Sequence, residues 1–435
     1  MIQTSVTPAG KEEFRTISDK DTRPIRNFSE SISRAALIKG LKNLRQGQLS
    51  LVDGSEPQLF GQYSPGGLQA EVKVHKSELY KNILFGGSLG AAESYLQGDW
   101  STNNLTDVLR LFARNVETSE QLDRGMGRIK KLFARMYHTL RSNSIAGSKR
   151  NIHEHYDLGN SFFSLFLDDT MMYSSAFFKR NDMTLHEAST AKLDRICRKL
   201  DIKPSDHVLE IGTGWGGFAE YAAQNYGCQV TTTTISQEQY DYSQERIQSS
   251  GLSDQVTLLL QDYRELTGQY DKLVSIEMIE AVGYRYYDTF FRKCGELLRP
   301  DGMMLLQGIT MAEQRYADYL KSADFIQRYI FPGGCLPTVL AMGQSVASQS
   351  DMRVLHLEDF AEHYARTLQL WKKNFFDQID KVRQLGFTER FIRMWEYYFC
   401  YCEAAFLERL TGVVQVVYAK PACRSDNINI QKGQI

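Results

Sequence analysis

The chain has 435 residues and a formal net charge of −1; 42% of its residues are hydrophobic and 24% are charged. These values exclude a disordered or fibrous protein and allow two or three folded domains. No apolar run of roughly 18 residues occurs, so we expect no transmembrane helix. The seven cysteines lack zinc-site spacing, and their odd number argues against a disulfide framework. We therefore expect a cytoplasmic protein without a bound metal.

The N-terminal part of the chain contains a polar tail and a small domain. Residues 1–30 mix charged and polar side chains without an apolar signal core, which indicates a flexible tail. Residues 31–120 are predicted to form an α+β domain that could bind lipid. It has strands at 51–54 and 70–74 and helices at 77–84 and 89–96.

A basic connector follows at residues 121–150. It contains eight Lys or Arg residues and one acid, a local net charge of +7, and its apolar residues recur at helical spacing. A basic amphipathic helix can bind an anionic membrane surface. A surface helix that packs on its own domain fits the same pattern equally well. Binding to nucleic acid is a less favoured alternative, because no recognised nucleic-acid-binding module accompanies the basic residues.

Residues 151–435 are predicted to form a larger α/β domain. Strands and helices alternate there, which predicts a Rossmann-like parallel sheet with helices on both faces. A helical insertion rich in aromatic residues is predicted at 316–410, and the apolar stretch 413–419 is predicted to form an edge strand. The predicted strands lie near 207–211, 229–234, 256–260, 271–276 and 303–309, and the predicted helices near 186–200, 216–225, 237–249 and 286–298.

The first of these strands runs into a turn rich in glycine, residues 208–217. Its glycines allow a sharp turn against which a nucleotide can lie. Glu210 precedes the first glycine by two residues, where it could pair with the ammonium group of S-adenosylmethionine. The same glycines satisfy a dinucleotide fingerprint, but that fingerprint requires an acid at the end of the second strand. Residues 229–235 contain no acid, so S-adenosylmethionine is favoured over NAD.

Several further motifs resemble one family. Together they strongly resemble cyclopropane-fatty-acyl-phospholipid synthases and mycolic acid methyltransferases, over about residues 90–425. The motifs lie at 87–95, 98–100, 151–157, 172–177, 234–239, 261–264, 275–283 and 329–337.

The resemblance implies which residues hold the cofactor. Gln239 would take the place of the missing acid by bonding a ribose hydroxyl through its amide. The full set implied for S-adenosylmethionine is Tyr173, Ser174, Glu210, Gly212, Gly214, Trp215, Gly216, Thr234, Ser236, Gln239, Tyr263 and Arg264.

The resemblance also implies methyl transfer to a cis double bond, followed by proton loss that closes a cyclopropane. Aromatic residues of the insertion could shelter the cation, although most of them are expected to be ordinary core. The family holds a bicarbonate ion as the base with a Cys, a Glu, a His, an Ile backbone and a Tyr. Three of these positions match here, as Glu280, Ile309 and Tyr364. Ser175 and Gln307 replace the Cys and the His. Cys402 matches another family cysteine.

These replacements leave two mechanisms open. Ser175 and Gln307 can donate hydrogen bonds to an anion but carry no charge, so bicarbonate should bind more weakly. Without the ion, Glu280 could be the base, and hydride migration could give a methyl-branched or methylene chain. Cys402 lacks a partner histidine and is expected to line the pocket.

The sequence therefore predicts an S-adenosylmethionine-dependent methyltransferase acting on unsaturated phospholipid acyl chains at the inner face of the membrane. Cyclopropanation is the first-ranked product, and a methyl-branched or methylene chain is the alternative. A non-catalytic lipid-binding protein is the alternative of a different class. The predicted partners are the phospholipid and an anionic membrane surface rather than nucleic acid, with a homodimer as one option.

Overall fold

The computed structural model describes residues 28–115 and 158–424. The predicted tail up to residue 27, the basic connector 121–150 and the motif at 151–157 lie outside the described residues. Within the described part, no helix is both long and apolar enough to cross a membrane.

The first described range forms a small four-stranded sheet flanked by helices. The strand order is β2-β1-β3-β4, and only β1 and β3 are parallel. Its elements are α1 (Phe28–Leu41), β1 (Gln48–Val52), β2 (Pro57–Gly61), β3 (Gln69–Val74), α2 (Glu78–Leu96), β4 (Trp100–Ser101) and α3 (Leu105–Arg114).

Two predicted features of this unit differ from the structure. The sequence did not indicate β2, whose residues are largely exposed and therefore lack a buried alternation. The two predicted helices form the single element α2, which is kinked at Gly87 with φ of 63°. Glycine adopts this left-handed conformation at little steric cost, so the chain can bend there and resume its helix.

The second range is built on a seven-stranded sheet with the order β10-β11-β9-β8-β5-β6-β7. Strands β5 to β9 are parallel, as predicted for a Rossmann-like domain, and β11 is antiparallel to both of its neighbours. The strands are β5 (His207–Ile211), β6 (Gln229–Thr234), β7 (Val256–Leu260), β8 (Tyr270–Ile276), β9 (Leu298–Met311), β10 (Arg353–Asp359) and β11 (Thr411–Ala419).

The helices predicted between the parallel strands are confirmed within about two residues. The helices of this range are α4 (Asn160–Phe163), α5 (Leu185–Lys199), α6 (Gly217–Tyr226), α7 (Gln237–Ser249), α8 (Ile279–Val282), α9 (Tyr287–Leu297), α10 (Glu313–Tyr319), α11 (Val339–Gln349), α12 (Ala361–Asp377), α13 (Ile379–Gln384) and α14 (Glu389–Leu407), with a π-helical turn at Ile326–Ile330.

The prediction of an edge strand at 413–419 is wrong. β11 lies between β9 and β10, and its residues from Val413 onward are buried. The edge is β10, which falls inside the stretch predicted to be helical. A strand covered on both faces consists of a nearly continuous apolar run, and this property of 413–419 in fact indicates an internal position.

The helical insertion joins the two described ranges. One hydrophobic cluster runs from Leu37 and Trp100 of the N-terminal unit to Trp371 and Trp395 of helices α12 and α14. Helix α3 lies against α14, where the Thr106 hydroxyl donates to Glu403 over 2.8 Å. The N-terminal unit therefore supports the helices that cover the carboxyl ends of the sheet strands.

Candidate active site

The turn after β5 has the backbone geometry of a ligand-binding turn. Gly212, Gly214 and Gly216 have φ values of 101°, 55° and 82°, in a region that residues other than glycine rarely adopt. The Gly212 and Thr213 amides both donate to the Thr233 carbonyl, which ties the turn to β6. A Cβ added at Gly214 would meet no heavy atom within 4 Å. This face of the turn is therefore open to a ligand.

Glu210 lies on β5 beneath the turn and is 2% exposed. Burial raises the pKa of its carboxyl to about 8, against the opposing effects of the Thr232 hydrogen bond and the Lys192 charge. The Thr232 hydroxyl donates to Glu210 Oε2 over 2.6 Å. A cationic ligand group at this place would stabilise the ionised carboxylate.

The residues predicted after β6 and β7 lie at the same edge of the sheet. Thr234 Oγ1 donates to Gln239 Oε1 over 2.8 Å, and Ser236 caps α7 by accepting from the Gln239 amide. The Tyr263 hydroxyl is buried and has no hydrogen-bond partner within the described residues. Arg264 pairs with Asp262 through two hydrogen bonds, of 2.8 and 2.7 Å.

Tyr173 and Ser174 lie in the loop between α4 and α5. The Tyr173 hydroxyl donates to the Tyr398 hydroxyl over 3.0 Å, and Ser174 Oγ accepts from Lys192 Nζ over 2.7 Å. Lys192 is fully buried, and desolvation lowers its pKa to about 8. Sequence reasoning missed Lys192, because α5 carries further lysines and arginines that do not enter the site.

Trp215 anchors the other side of the turn. Its indole Nε1 donates to Asn160 Oδ1 over 2.6 Å, and its ring lies 5.0 Å from that of Phe163. The short helix α4 is thereby fixed against the glycine turn.

A second group of predicted residues meets around an acid that the sequence analysis did not single out, Glu277. Its Oε1 accepts from the Ser175 backbone amide over 2.9 Å and from Gln307 Nε2 over 2.8 Å. Its Oε2 accepts from the Tyr364 hydroxyl over 2.8 Å. Glu277 directly follows β8, and an acid at the carboxyl end of a parallel strand was the signal that could have revealed it.

Ser175 enters this group through its backbone rather than its side chain. Its hydroxyl donates to the Ala176 carbonyl, over 3.1 Å, and so points away from Glu277. Gln307, in contrast, donates to Glu277 through its side chain, and its predicted donation to a bicarbonate ion stays a prediction.

Glu280 and Ile309 form the neighbouring part of the site. The Ile309 amide donates to Glu280 Oε1 over 2.5 Å, whereas Glu280 Oε2 is buried without a partner in the described part of the chain. Burial raises the pKa of Glu280 to about 8, and the charge of Glu277 adds to the effect.

Glu277 and Glu280 are neighbouring carboxylates that are largely shielded from solvent. Both residues retain some accessible surface, yet desolvation is the largest influence on both pKa values and raises each of them. Protein atoms therefore shield both carboxylates from much of the solvent. The orphaned Glu280 Oε2 marks a position that can receive a proton or a ligand group.

Aromatic rings pack around Tyr364, which donates to Glu277, and around Tyr173. Tyr364 stacks on Phe406 with centroids 4.5 Å apart and meets Trp371 edge-on at 6.0 Å. The Tyr173 ring lies 5.3 Å from Trp371 and 6.0 Å from Phe331. Such π-faces can stabilise a cation by about 0.5–2 kcal/mol each.

Cys402 lies on α14, packed against the main hydrophobic cluster. Burial raises the pKa of its thiol above the usual range. The neutral thiol is favoured, which argues against a nucleophilic thiolate, and a pocket-lining role for Cys402 stays a prediction.

The arrangement fits S-adenosylmethionine. The open face at Gly214, the buried carboxylate of Glu210 and the unpartnered Tyr263 hydroxyl all lie at the carboxyl ends of β5 to β7, where such sheets bind nucleotides. The carboxylates and aromatic rings lie at the ends of the adjoining strands β8 and β9.

Comparisons with known proteins agree with this assignment. Residues 144–416 match the family model described as mycolic acid cyclopropane synthetase. The chain is 37% identical to the tuberculostearic acid methyltransferase UfaA1 of Mycobacterium tuberculosis, over 95% of this chain and 97% of the relative. It is 38% identical to the cyclopropane-fatty-acyl-phospholipid synthase of Escherichia coli strain K12, over 82% of this chain and 89% of the relative.

Solved structures lead to the same family. The cyclopropane synthase MmaA2 from Mycobacterium tuberculosis superposes with a TM-score of 0.58 at 31% identity, covering 62% of this chain and 98% of that one. The mycolic acid cyclopropane synthase CmaA1, solved with SAH and CTAB, superposes with a TM-score of 0.57 at 33% identity, over the same shares. The sequence, the sheet order and the glycine turn thus lead to one conclusion: this chain belongs to the mycolic acid cyclopropane synthetase family, whose members modify lipid acyl chains by S-adenosylmethionine-dependent methyl transfer.

Proposed function

We propose that this protein transfers a methyl group from S-adenosylmethionine to the double bond of an unsaturated phospholipid acyl chain and that cyclopropane formation is its first-ranked reaction. One observation carries the proposal. Two largely desolvated carboxylates, Glu277 and Glu280, lie beside buried aromatic rings at strands adjoining the glycine turn. Such surroundings can exclude water, shelter a carbocation and accept a proton.

Residues at the ends of β5 to β7 would hold the cofactor, which supplies an electrophilic methyl group when bound. Glu210 would pair with its ammonium group. The Gln239 amide oxygen already accepts from Thr234, so the amide nitrogen would donate to a ribose hydroxyl. The buried Tyr263 hydroxyl would find its missing partner in the nucleoside part.

The reaction balances without a further co-reactant. The π electrons of the alkene form a new carbon–carbon bond while the carbon–sulfur bond of the donor breaks, which leaves a cation on the neighbouring chain carbon. The Tyr173 and Phe331 rings, which are only partly buried, are our candidates for stabilising that charge. Loss of one proton from the new methyl group to a carboxylate lets the electron pair close the ring.

A second product is favoured by a specific difference. Ser175 and Gln307 stand where the resemblance implies a Cys and a His, and a relative matched over 97% of its own length is named a tuberculostearic acid methyltransferase. If a hydride migrates before the proton is lost, the same enzyme gives a methylene or methyl-branched unsaturated chain. A saturated branch would require a separate reduction.

Phospholipid substrates place the enzyme at a bilayer. We propose that it acts as a peripheral protein on the cytoplasmic side and that the connector 121–150 contributes to attachment through its charge.

Mass spectrometry of lipids tests the function directly. Purified protein, vesicles containing a cis-unsaturated phospholipid and S-adenosylmethionine with a deuterated methyl group should give a lipid enlarged by one carbon. Retention of two deuterium atoms with resistance to ozone identifies the ring. A product that ozone cleaves is the open-chain alternative. A properly folded protein that binds the cofactor but never changes the lipid mass is a lipid-binding protein instead.

A further inference from the structure

Glu277 has an unusual backbone conformation. Its φ is 49°, in the left-handed region, and it is one of only a few non-glycine residues in the described ranges with positive φ. This conformation is unfavourable for a residue with a side chain, and it persists where the surroundings over-determine it, often at functional sites. Glycine would adopt this backbone conformation more easily than glutamate does. The presence of glutamate at this position therefore lowers the stability of the fold.

The surroundings of Glu277 are built to hold a carboxylate. Three neutral donors, the Ser175 amide, the Gln307 side chain and the Tyr364 hydroxyl, bind its two oxygens. Each of them, together with the charge of Lys192, favours the ionised form and opposes the rise in pKa that burial causes. Glu280 has fewer such partners, and the charge of Glu277 raises its pKa further.

A hydrogen-bond chain through the sheet fixes one of these donors. Lys199 Nζ donates to Gln415 Oε1 over 2.7 Å, and Gln415 Nε2 donates to Gln307 Oε1 over 2.9 Å. Since the Gln307 oxygen is already an acceptor, its Nε2 must face Glu277. Gln307 and Gln415 are opposite each other in the pairing of β9 and β11, and both are fully buried.

We propose that Glu277 is the proton acceptor of the reaction and that its tethered carboxylate makes an added bicarbonate ion unnecessary. The inference rests on the proposed methyl transfer. A carbon–hydrogen bond of the cationic chain breaks, the proton goes to a Glu277 oxygen, and the electron pair closes the ring or forms the new double bond. Neutral donors suffice around Glu277 because a covalently attached anion needs no cationic side chain to recruit it.

The decisive variant is Glu277→Gly. It removes the carboxylate, relieves the positive φ and opens room for a small anion. We expect kcat to fall by about 10²–10⁴-fold, the usual contribution of a positioned base, while calorimetric affinity for S-adenosylhomocysteine and the thermal unfolding midpoint are preserved. Added bicarbonate or formate should restore part of the lost activity.

Wild-type protein should work at full rate in buffer stripped of bicarbonate and should not respond when it is added. Arg409→Gly is the matched control, because Arg409 also has a positive φ, of 54°, and its side chain is 82% exposed. Glu277→Gln, which keeps the size of the side chain, should lose activity like the glycine variant but without rescue.

Three outcomes would overturn the inference. The first is that the wild type depends on bicarbonate, and the second is that Glu277→Gly is fully active without bicarbonate. The third is that Glu280→Gln loses activity while both Glu277 variants remain active. A wild type that makes no product from phospholipid and S-adenosylmethionine contradicts the proposed function itself. The two failures are therefore distinguishable.

Discussion

At the scale of single residues, the candidate site contains backbone positions with positive φ that are occupied by glycine and one that is occupied by glutamate. Gly214 leaves a face of the turn open, whereas Glu277 accepts an unfavourable φ to present a carboxylate.

Gly214→Val should weaken binding of S-adenosylhomocysteine at least tenfold. The branched side chain would project from the open face of the turn, where the ligand must approach the backbone. Isothermal titration calorimetry is the measurement. Gly251→Val is the matched control: Gly251 has φ of 69° and equally open surroundings, but it lies after α7, away from the turn. Equal affinities for the two folded variants would remove the turn from the cofactor site.

At the scale of secondary-structure elements, two contacts position the site. β11 delivers Gln415 to Gln307 on β9, and α14 connects the N-terminal unit to the helical cover. In the second contact Glu403 accepts from Thr106 on α3, from Lys372 on α12 and from Gln369 on α12, over 2.8 to 2.9 Å.

Gln415→Leu should shift the acidic limb of the pH–kcat profile to higher pH. Without its hydrogen bond from Gln415, the Gln307 amide loses its fixed orientation and donates less to Glu277. Because that donation favours the ionised carboxylate, its loss raises the pKa of Glu277, so a higher pH is needed to ionise the base. Rates across a pH series provide the test. A reduced rate with an unmoved limb would show that Gln415 is structural only.

Glu403→Leu should lower the free energy of unfolding by about 3 kcal/mol, because it leaves the Lys372 ammonium and the Thr106 hydroxyl without their acceptor. Urea denaturation followed by circular dichroism measures the change. Glu389→Leu on the same helix is the control, since Glu389 lies in an exposed ion pair with Arg383, and it should have a far smaller effect. Similar losses in both variants would contradict an essential contact between α3 and α14.

At the scale of the whole molecule, positive charge is concentrated in one segment of the sequence. The chain carries −1 in total and +7 within residues 121–150. This segment lies outside the described residues, and its attachment to membranes stays a prediction from the sequence.

The protein should float with anionic vesicles and not with neutral ones. Each basic residue near the surface contributes roughly 1 kcal/mol, and the attraction should fade as salt shortens the Debye length. Replacing Lys130 and Lys131 by Glu should reduce binding. The same change at Lys39 of α1 and at Lys42, which directly follows α1, serves as the control. Salt-independent binding to both kinds of vesicle would exclude the electrostatic attachment.

The sequence by itself determined the parallel sheet and the glycine turn, and it named most of the residues in the candidate site. Strands β5 to β8 and their helices are marked by local periodicity, and Glu210 and Glu280 belong to motifs that are readable along the chain. Local patterns suffice there because each strand of such a sheet is followed by the helix that covers it.

Only the tertiary structure decided the position of β10 at the sheet edge, the entry of Lys192 into the site and the role that we infer for Glu277. Ser175, Gln307 and Tyr364 are separated from Glu277 by 102, 30 and 87 residues, and they converge on it only when the strands and α12 are in place. A positive φ at a glutamate leaves no local signature in the sequence, because the surrounding structure imposes it.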